Sequence, residues 1–437
     1  MICVGSAGGT PRVLRPREAV VEIVHSRVAG IDVHKKQVTV AVRTPGKRGR
    51  QQQVRRYATF YAALRELTAW LTELGVTHVA MEATGIYWRP VWHALAEAGS
   101  LEVLVCNAAH VKNVPGRKTD VGDAAWLAEL LEVGLLRGSF TPPEQLVAMR
   151  DLTRYRASLV HERTREIQRL CKVLEDGGIK LDSVASEPLG VSARLMIEAL
   201  IAGERDPQVL AAMARGRLRK KIPDLAQALG GRFNDHHGLM CQLHLDHIDH
   251  LAAAIERVEA EVEKMIVPFE LPRRRLCTIP GIAGRVSAAI ISEIGVDMSW
   301  FPSGAHLASW IGLCPGNHES AGKRKTGKTR KGNPYLKSVF VEAAWSAVRV
   351  DGRLKARYQR LVRRFGGHRN QVAIKKAIVA IAHTLCVIVW HILHRGTDYR
   401  DLGADFYLRR DNPDVRKNHL VRQLQELGYS VELTLAA

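Results

Sequence analysis

Between Val28 and Leu131, short β-branched apolar runs alternate with stretches of helical period, and near Thr141 that alternation stops. "RVAGIDVHKKQVTVAVRTPGKRG" reads as a strand, a turn and a second strand closed by Pro-Gly. "YATFYAALRELTAWLTELG" reads as a helix ended by Gly75, followed by a strand in "VTHVAMEATG" and a helix in "IYWRPVWHALAEAG". A strand in "LEVLVCN" and a helix in "GRKTDVGDAAWLAELL" complete the series. Such alternation predicts an α/β domain in which helices cover a sheet with parallel strands. Ligands of such sheets collect at the carboxyl ends of the strands.

Beyond Thr141 the pattern is helical. "EQLVAMRDLTRYRASLVHERTREIQRLCKVLED" is one long charged helix, and Ile248, Leu251, Ile255, Val258, Val262 and Met265 recur at alternating steps of three and four. That spacing predicts a coiled-coil seam of a little over two heptads, with the two long helices pairing antiparallel or self-associating. From about Leu271 a compact, mostly helical region is expected. Its apolar run Ala377–Leu393 is slightly short for a membrane span and carries His383, Thr384 and His391, so it predicts a buried core helix. The expected organisation is an unstructured extension over 1–27, the α/β domain over 28–140 and a coiled-coil region over 141–270. A C-terminal domain over 271–395 and a polar tail over 396–437 follow.

A chain of 437 residues exceeds what one core can organise, and its 64 Lys+Arg against 44 Asp+Glu give a formal net charge of +20. That excess favours a polyanionic partner, most commonly nucleic acid. Seven scattered cysteines without C-x-x-C spacing indicate neither zinc ribbon nor disulfide framework, and they fit a reducing cytoplasm. The N-terminal stretch lacks the apolar segment of a secretory signal.

Against this basic background the acids stand out. Asp32 in "GIDVHKK" and Glu82 in "VAMEATG" sit at strand ends, and Asp120 and Asp123 stand three residues apart at a helix mouth. At that spacing the two carboxylates point the same way and repel unless solvent or a cation lies between them. Singly, each acid reads as a cap or a surface group, Asp120 as an N-cap. Together, four carboxylates at one end of a sheet suggest hard-cation chemistry, with Mg²⁺ or Mn²⁺ as the ion. A two-metal site suits phosphodiester transfer.

Three further signals follow. "IPGIAGRVSAAIISEIG" has the form of a helix-hairpin-helix, in which Pro280, Gly281 and Gly284 would shape a turn offering backbone N–H groups to a phosphate. The glycine-punctuated stretch "PGNHESAGKRKTGKTRKGNPYLK" reads as a flexible basic loop carrying Lys323, Arg324, Lys325, Lys328, Arg330 and Lys331, with Ser320 at its head. A serine hydroxyl attacking a phosphodiester needs a base or metal for its proton and positive charge for the phosphorane. The histidine-rich "DHHGLMCQLHLDHIDH" reads as the solvated face of a helix rather than a zinc site, because no matching ligand set occurs elsewhere.

The motifs "GIDVHKKQVTVAV", "AMEATGIYWRPVWHAL", "GRKTDVGDAAWLAELL", "IPGIAGRVSAAIISEIG" and "ASWIGLCPGNHESAGKRKTGKTRKGNPYLKSVFVEAAW" occur in an order and spacing that resembles the DEDD transposases of bacterial insertion sequences. The resemblance implies a RuvC-like (RNase H-like) first domain whose tetrad Asp32, Glu82, Asp120 and Asp123 binds Mg²⁺. It implies a C-terminal transposase domain with Ser320 as nucleophile, and nucleic-acid contacts from Lys118, the helix-hairpin-helix and the basic stretch. It further implies donor and target DNA, a structured bridge RNA as guide, and a dimeric or tetrameric assembly. Two other classes share some of these features. A junction endonuclease would need the acids but not Ser320, and an architectural binder would need neither.

Overall fold

A computed structural model describes residues 22–47, 49–83, 85–107, 111, 122–316, 318–410 and 413–434. The extension up to residue 21, together with Lys118 and Asp120, lies outside the described residues. The chain divides into two compact units, Met1–Thr141 and Pro142–Ala437.

The first unit is built on a five-stranded sheet of β1 (Val28–Val33), β2 (Gln37–Gly46), β3 (Gly49–Ala58), β4 (His78–Glu82) and β5 (Glu102–Cys106), ordered β3-β2-β1-β4-β5. The sheet is mixed. β1 pairs parallel with β4 and β4 with β5, whereas β1–β2 and β2–β3 are antiparallel. Side chains alternate between its faces. Ala29, Ile31, Val33, Val79 and Met81 pack beneath α1 (Tyr61–Glu73) and α2 (Trp88–Ala96). Val28, Ala41, Ala80 and Cys106 pack against α3 (Asp123–Glu132) on the other face. Burial on both sides explains why β1 and β4 read as nearly unbroken apolar runs, each large aliphatic side chain contributing roughly 1.5–3 kcal/mol.

β3 is missing from the sequence expectation, which began a helix at Tyr57. Its "GRQQQVRRYA" shows no alternation because it is a largely exposed edge strand, fixed by ten paired positions with β2. Arginine and glutamine on such an edge discourage pairing with other chains. The extension is also shorter than expected at its inner end. The N–H groups of Val24 and His25 both donate to the Glu132 carbonyl, at 2.9 and 3.1 Å, and Thr77 donates to the Arg27 carbonyl at 3.1 Å.

The second unit is mostly helical. α4 (Glu144–Asp176) is followed by short helices α5–α8 (Leu181–Val184, Val191–Ile201, Pro207–Ala212, Ile222–Ala228) and by α9 (Asp235–Met265). α4 and α9 lie side by side and run antiparallel, since Arg156 meets Glu259, Glu166 meets His244 and Asp176 meets His237 in opposite sequence directions. Of the expected seam, Ile248, Leu251 and Val262 are buried, and Ile255, Val258 and Met265 are half-buried.

The unit continues with α10 (Glu270–Cys277), α11 (Gly284–Ile294), α12 (Gly304–Ile311), α13 (Pro334–Ala347), α14 (Arg353–Phe365) and α15 (Gln371–Arg395), then α16 (Phe406–Arg410) and α17 (Pro413–Glu426). Among the described residues α15 is the one helix long and apolar enough to cross a membrane. Within this unit it is the central helix, packed by α10, α12, α13 and α14, with Ile378, Ile381, Leu385, Cys386 and Val389 buried. Buried Glu293 joins three elements. It takes a bidentate pair from Arg154 (2.6 and 2.9 Å) and a bond from Asn333 Nδ2 (2.6 Å), while Arg150 Nη2 donates to its backbone carbonyl at 2.5 Å.

Candidate active site

Asp32 and Glu82 reach one face of the sheet through register alone. β1 and β4 pair in parallel up to Ile31 opposite Met81, so the next residues, Asp32 and Glu82, flank each other at the strands' carboxyl ends. Neighbouring strands lie about 4.8 Å apart. The period of two puts Asp32 with Gly30, and Glu82 with Ala80, on the face that α3 covers. Asp32 is 28% exposed and pairs with His34 Nε2 at 3.0 Å. Cys106 stands opposite Glu82 in β5, and burial, then the Glu82 charge, pushes its thiol up to about 11. Cys106 thus lines this face as a buried thiol whose ionisation the Glu82 charge further opposes.

α3 brings in the third acid. A Cβ on Gly30 would stand 2.1 Å from the Ala124 carbonyl oxygen and 2.4 Å from the Ala128 nitrogen, so the first turns of the helix rest directly on β1. Only glycine permits that approach. Asp123, the residue before Ala124, is the first residue of the helix and is exposed, with Gly122 as N-cap. An acid there is favoured by the helix dipole whatever else it does. The far end of α3 is fixed by buried Glu132, which pairs with Arg43 Nε at 2.7 Å and with Arg50. Sequence reasoning missed Gly30, His34 and this anchor; a glycine inside a strand was the one available sign.

Asp32 and Glu82 thus share one end and one face of the sheet, Asp123 begins the helix that covers that face, and Asp120 lies outside the described residues. Among the described residues no three His, Cys, Asp or Glu side chains are close enough together to hold a metal ion. The donors do suit a hard cation, being carboxylate oxygens without thiolate or imidazole in the set.

The basic stretch, expected as a loop from its glycines, forms a two-stranded hairpin. Ser320 ends β6 (His318–Ser320) and pairs with Lys323, the first residue of β7 (Lys323–Thr326), across a two-residue turn. Both turn residues have positive φ, Ala321 at 51° and Gly322 at 72°. Such turns match the twist of a hairpin, and a non-glycine in that conformation costs about 1–2 kcal/mol. Gly332 is equally constrained, because a Cβ there would stand 2.4 Å from the backbone of Ile311. Pro315 bridges Thr329, and Lys337 Nζ reaches Thr329 Oγ1 at 2.6 Å, closing the base of the hairpin. Lys323, Lys328, Arg330 and Lys331 are exposed along it.

The other expected phosphate site is a turn between α10 and α11. Gly281 has φ +83°, and a Cβ there would meet the Ala343 carbonyl at 2.3 Å, so packing against α13 alone requires this glycine. Pro280 is half-buried beside it, and Gly284 opens α11 with no side-chain cap from Ala283. The histidine cluster needs a partial correction. His236, His247 and His250 are exposed, but His237 is buried and caps α9 with Asn234, and His244 turns toward α4. There it meets Glu166 at 2.6 Å, with His247 at 3.4 Å. Burial alone would raise the Glu166 carboxyl, but hydrogen bonds from His244, Arg169 and His247 hold it down at about 2.

A transposase family profile matches residues 29–177, spanning the sheet, α3 and α4, and a second, described as "Transposase IS116/IS110/IS902 family", matches residues 273–359. A "Probable family 20 transposase" of Pseudomonas aeruginosa is 27% identical over 330 residues, covering 74% of this chain and 85% of that protein. "Putative transposase y4pF/y4sB" of Sinorhizobium fredii is 28% identical over 346 residues, 77% and 78% of the two chains. An "Insertion element IS116 uncharacterized 44.8 kDa protein" of Streptomyces clavuligerus is 24% identical over 352 residues, 73% and 85%. The class is therefore an insertion-sequence transposase, an enzyme that cuts and rejoins DNA. Within that class the chain belongs to the IS110 family of DEDD transposases.

Proposed function

We infer that the sheet is an RNase H-like, RuvC-type catalytic domain and that Asp32, Glu82, Asp120 and Asp123 together hold Mg²⁺ or Mn²⁺. The observation that carries this reading is the flanking of Asp32 by Glu82 at the carboxyl ends of β1 and β4, on the face where α3 presents Asp123. When bound, the cation supplies Lewis-acid polarisation of the scissile phosphate. The carboxylates would hold the cation, and one of them accepts the nucleophile's proton and returns it to the departing strand oxygen. Ser320 is the nucleophile: its Oγ forms a P–O bond as the strand's own P–O bond breaks and releases a hydroxyl end. A hydroxyl from the exchanged strand then reverses the step, so bond number is conserved and no ATP is needed. The exposed cations of the hairpin offset charge that develops on the phosphorane.

The uncapped start of α11, with Pro280, Gly281 and Gly284, contacts a DNA phosphate, and a structured guide RNA selects the donor and target DNA. Acids and serine meet in a dimeric or tetrameric synapse, to which the α4–α9 pair contributes as a coiled coil. A denaturing gel of the reaction with labelled DNA tests the chemistry. Wild type should leave a DNA–protein adduct that Ser320→Ala abolishes. DNA cut without any adduct would instead mean a RuvC-like junction endonuclease. Recovery of the purified protein without RNA would contradict the guided part.

A further inference from the structure

α14 and α15 form a corner that is basic, acid-free and rigid. From Gly352 to Thr397 the chain contains no Asp or Glu, although both helices and the turn between them lie in this span. Arg363 and Arg364 at the end of α14, Arg369 in the turn, and Lys375 and Lys376 in α15 are all exposed. Among the described residues none of these five makes an ion pair. Some cations elsewhere on the same unit do have acids beside them: Arg273 with Glu263, Arg285 with Glu259, and Lys264 with Glu261. Five unpaired like charges on one corner repel one another, and the first turn of α15 has no acid to offset its dipole. A polyanion relieves both.

The corner is also held in shape. Gly366 and Gly367 have φ of +125° and +86°, and Gly367 N–H donates to the Val362 carbonyl at 2.8 Å, ending α14 sharply. His368 packs edge-on against Tyr358, with ring centroids 6.4 Å apart. Asn370 then caps α15, accepting from the N–H groups of Val372 and Ala373 at 2.9 and 3.3 Å. Two helices joined by a short glycine-containing turn make a helix-turn-helix. In α15 the buried residues Ala373 and Ala377 leave Gln371, Val372, Lys375 and Lys376 exposed together at its start, with Val372 58% exposed.

We propose that this corner is a duplex DNA-binding surface, with the start of α15 entering the major groove and the arginines of α14 and the turn gripping the backbone. Lys375 and Lys376 would meet phosphates while exposed Gln371 and Val372 lie along the groove, contacts that position the duplex and leave its sequence to the guide. B-form DNA admits a helix end, whereas the deep, narrow major groove of A-form RNA does not. The patch from Arg360 onward lies beyond residues 273–359 matched by the family profile. The inference rests on the family's action on DNA and is independent of the acid–serine chemistry.

The test is fluorescence anisotropy of the full chain with a labelled DNA duplex and an RNA duplex of the same sequence, in EDTA so that catalysis plays no part. Lys375→Gln with Lys376→Gln should weaken DNA binding roughly tenfold and lower the slope of log K against log salt by about two, one for each phosphate no longer neutralised. Arg363→Gln with Arg364→Gln should act similarly, and Lys264→Gln should change nothing. Unchanged DNA affinity and slope in both double variants, with unaltered melting temperature, overturns the proposal. So does an equal loss toward the RNA duplex.

Discussion

The strand-end acids of the sheet unit and the buried acids of the helical unit are treated differently by the fold. Glu293 in the helical unit is 2% exposed and enclosed by Arg150, Arg154 and Asn333, and Glu166 is likewise buried against Arg169 and two histidines. At the sheet, Asp32 keeps 28% of its side chain exposed beside His34, and Asp123 is exposed at a helix start. Acids enclosed by cations hold elements together, while acids left open at strand ends are available to a ligand. The comparison separates stability from activity and can be broken residue by residue.

The largest expected effect is on activity. Asp32→Asn and Glu82→Gln should each lower transposition in cells by more than about a hundredfold, since even residues supporting metal ligands cost ~10–100-fold. Their melting temperatures should stay close to wild type; a large fall would place these acids with Glu293 as structural. Glu293→Ala reverses the pattern. Removing one partner of a buried pair strands Arg150 and Arg154, so denaturant unfolding should show a loss of about 3–5 kcal/mol.

Gly30→Ala lies between the two. Its methyl would collide with the Ala124 carbonyl, so α3 must lift from β1. Overpacking of this kind costs about 1–3 kcal/mol, and displacing Asp123 should reduce transposition more than it reduces stability. The smallest effect is a pH dependence. The Glu166 carboxyl is held down at about 2, so its stabilisation is present above the unfolded-state value of about 4.3 and is lost as pH falls toward 2. Thermal melts of Glu166→Gln should therefore show a flatter acid limb than wild type.

Much of the sheet was legible because β1 and β4 are covered on both faces, which leaves continuous apolar runs with an acid marking each end. β3 was not, since an exposed edge strand owes its form to β2 rather than to its own pattern. The site was legible only as residue types. Placing Asp32 beside Glu82 depends on the parallel register, and placing Asp123 depends on the close approach at Gly30, neither of which has a local signature. The basic stretch shows the same limit, for the glycines that suggested flexibility are a hairpin turn at Gly322 and a tight crossing at Gly332. His244 read as solvated because its partner Glu166 lies 78 residues away on α4.

Electron paramagnetic resonance of Mn²⁺ titrated into the full chain with substrate DNA asks most directly whether the strand-end carboxylates hold the cation. Saturable binding in wild type that disappears in Asp32→Asn and in Asp123→Asn is the predicted result. Retention of that binding in both variants would contradict the assignment.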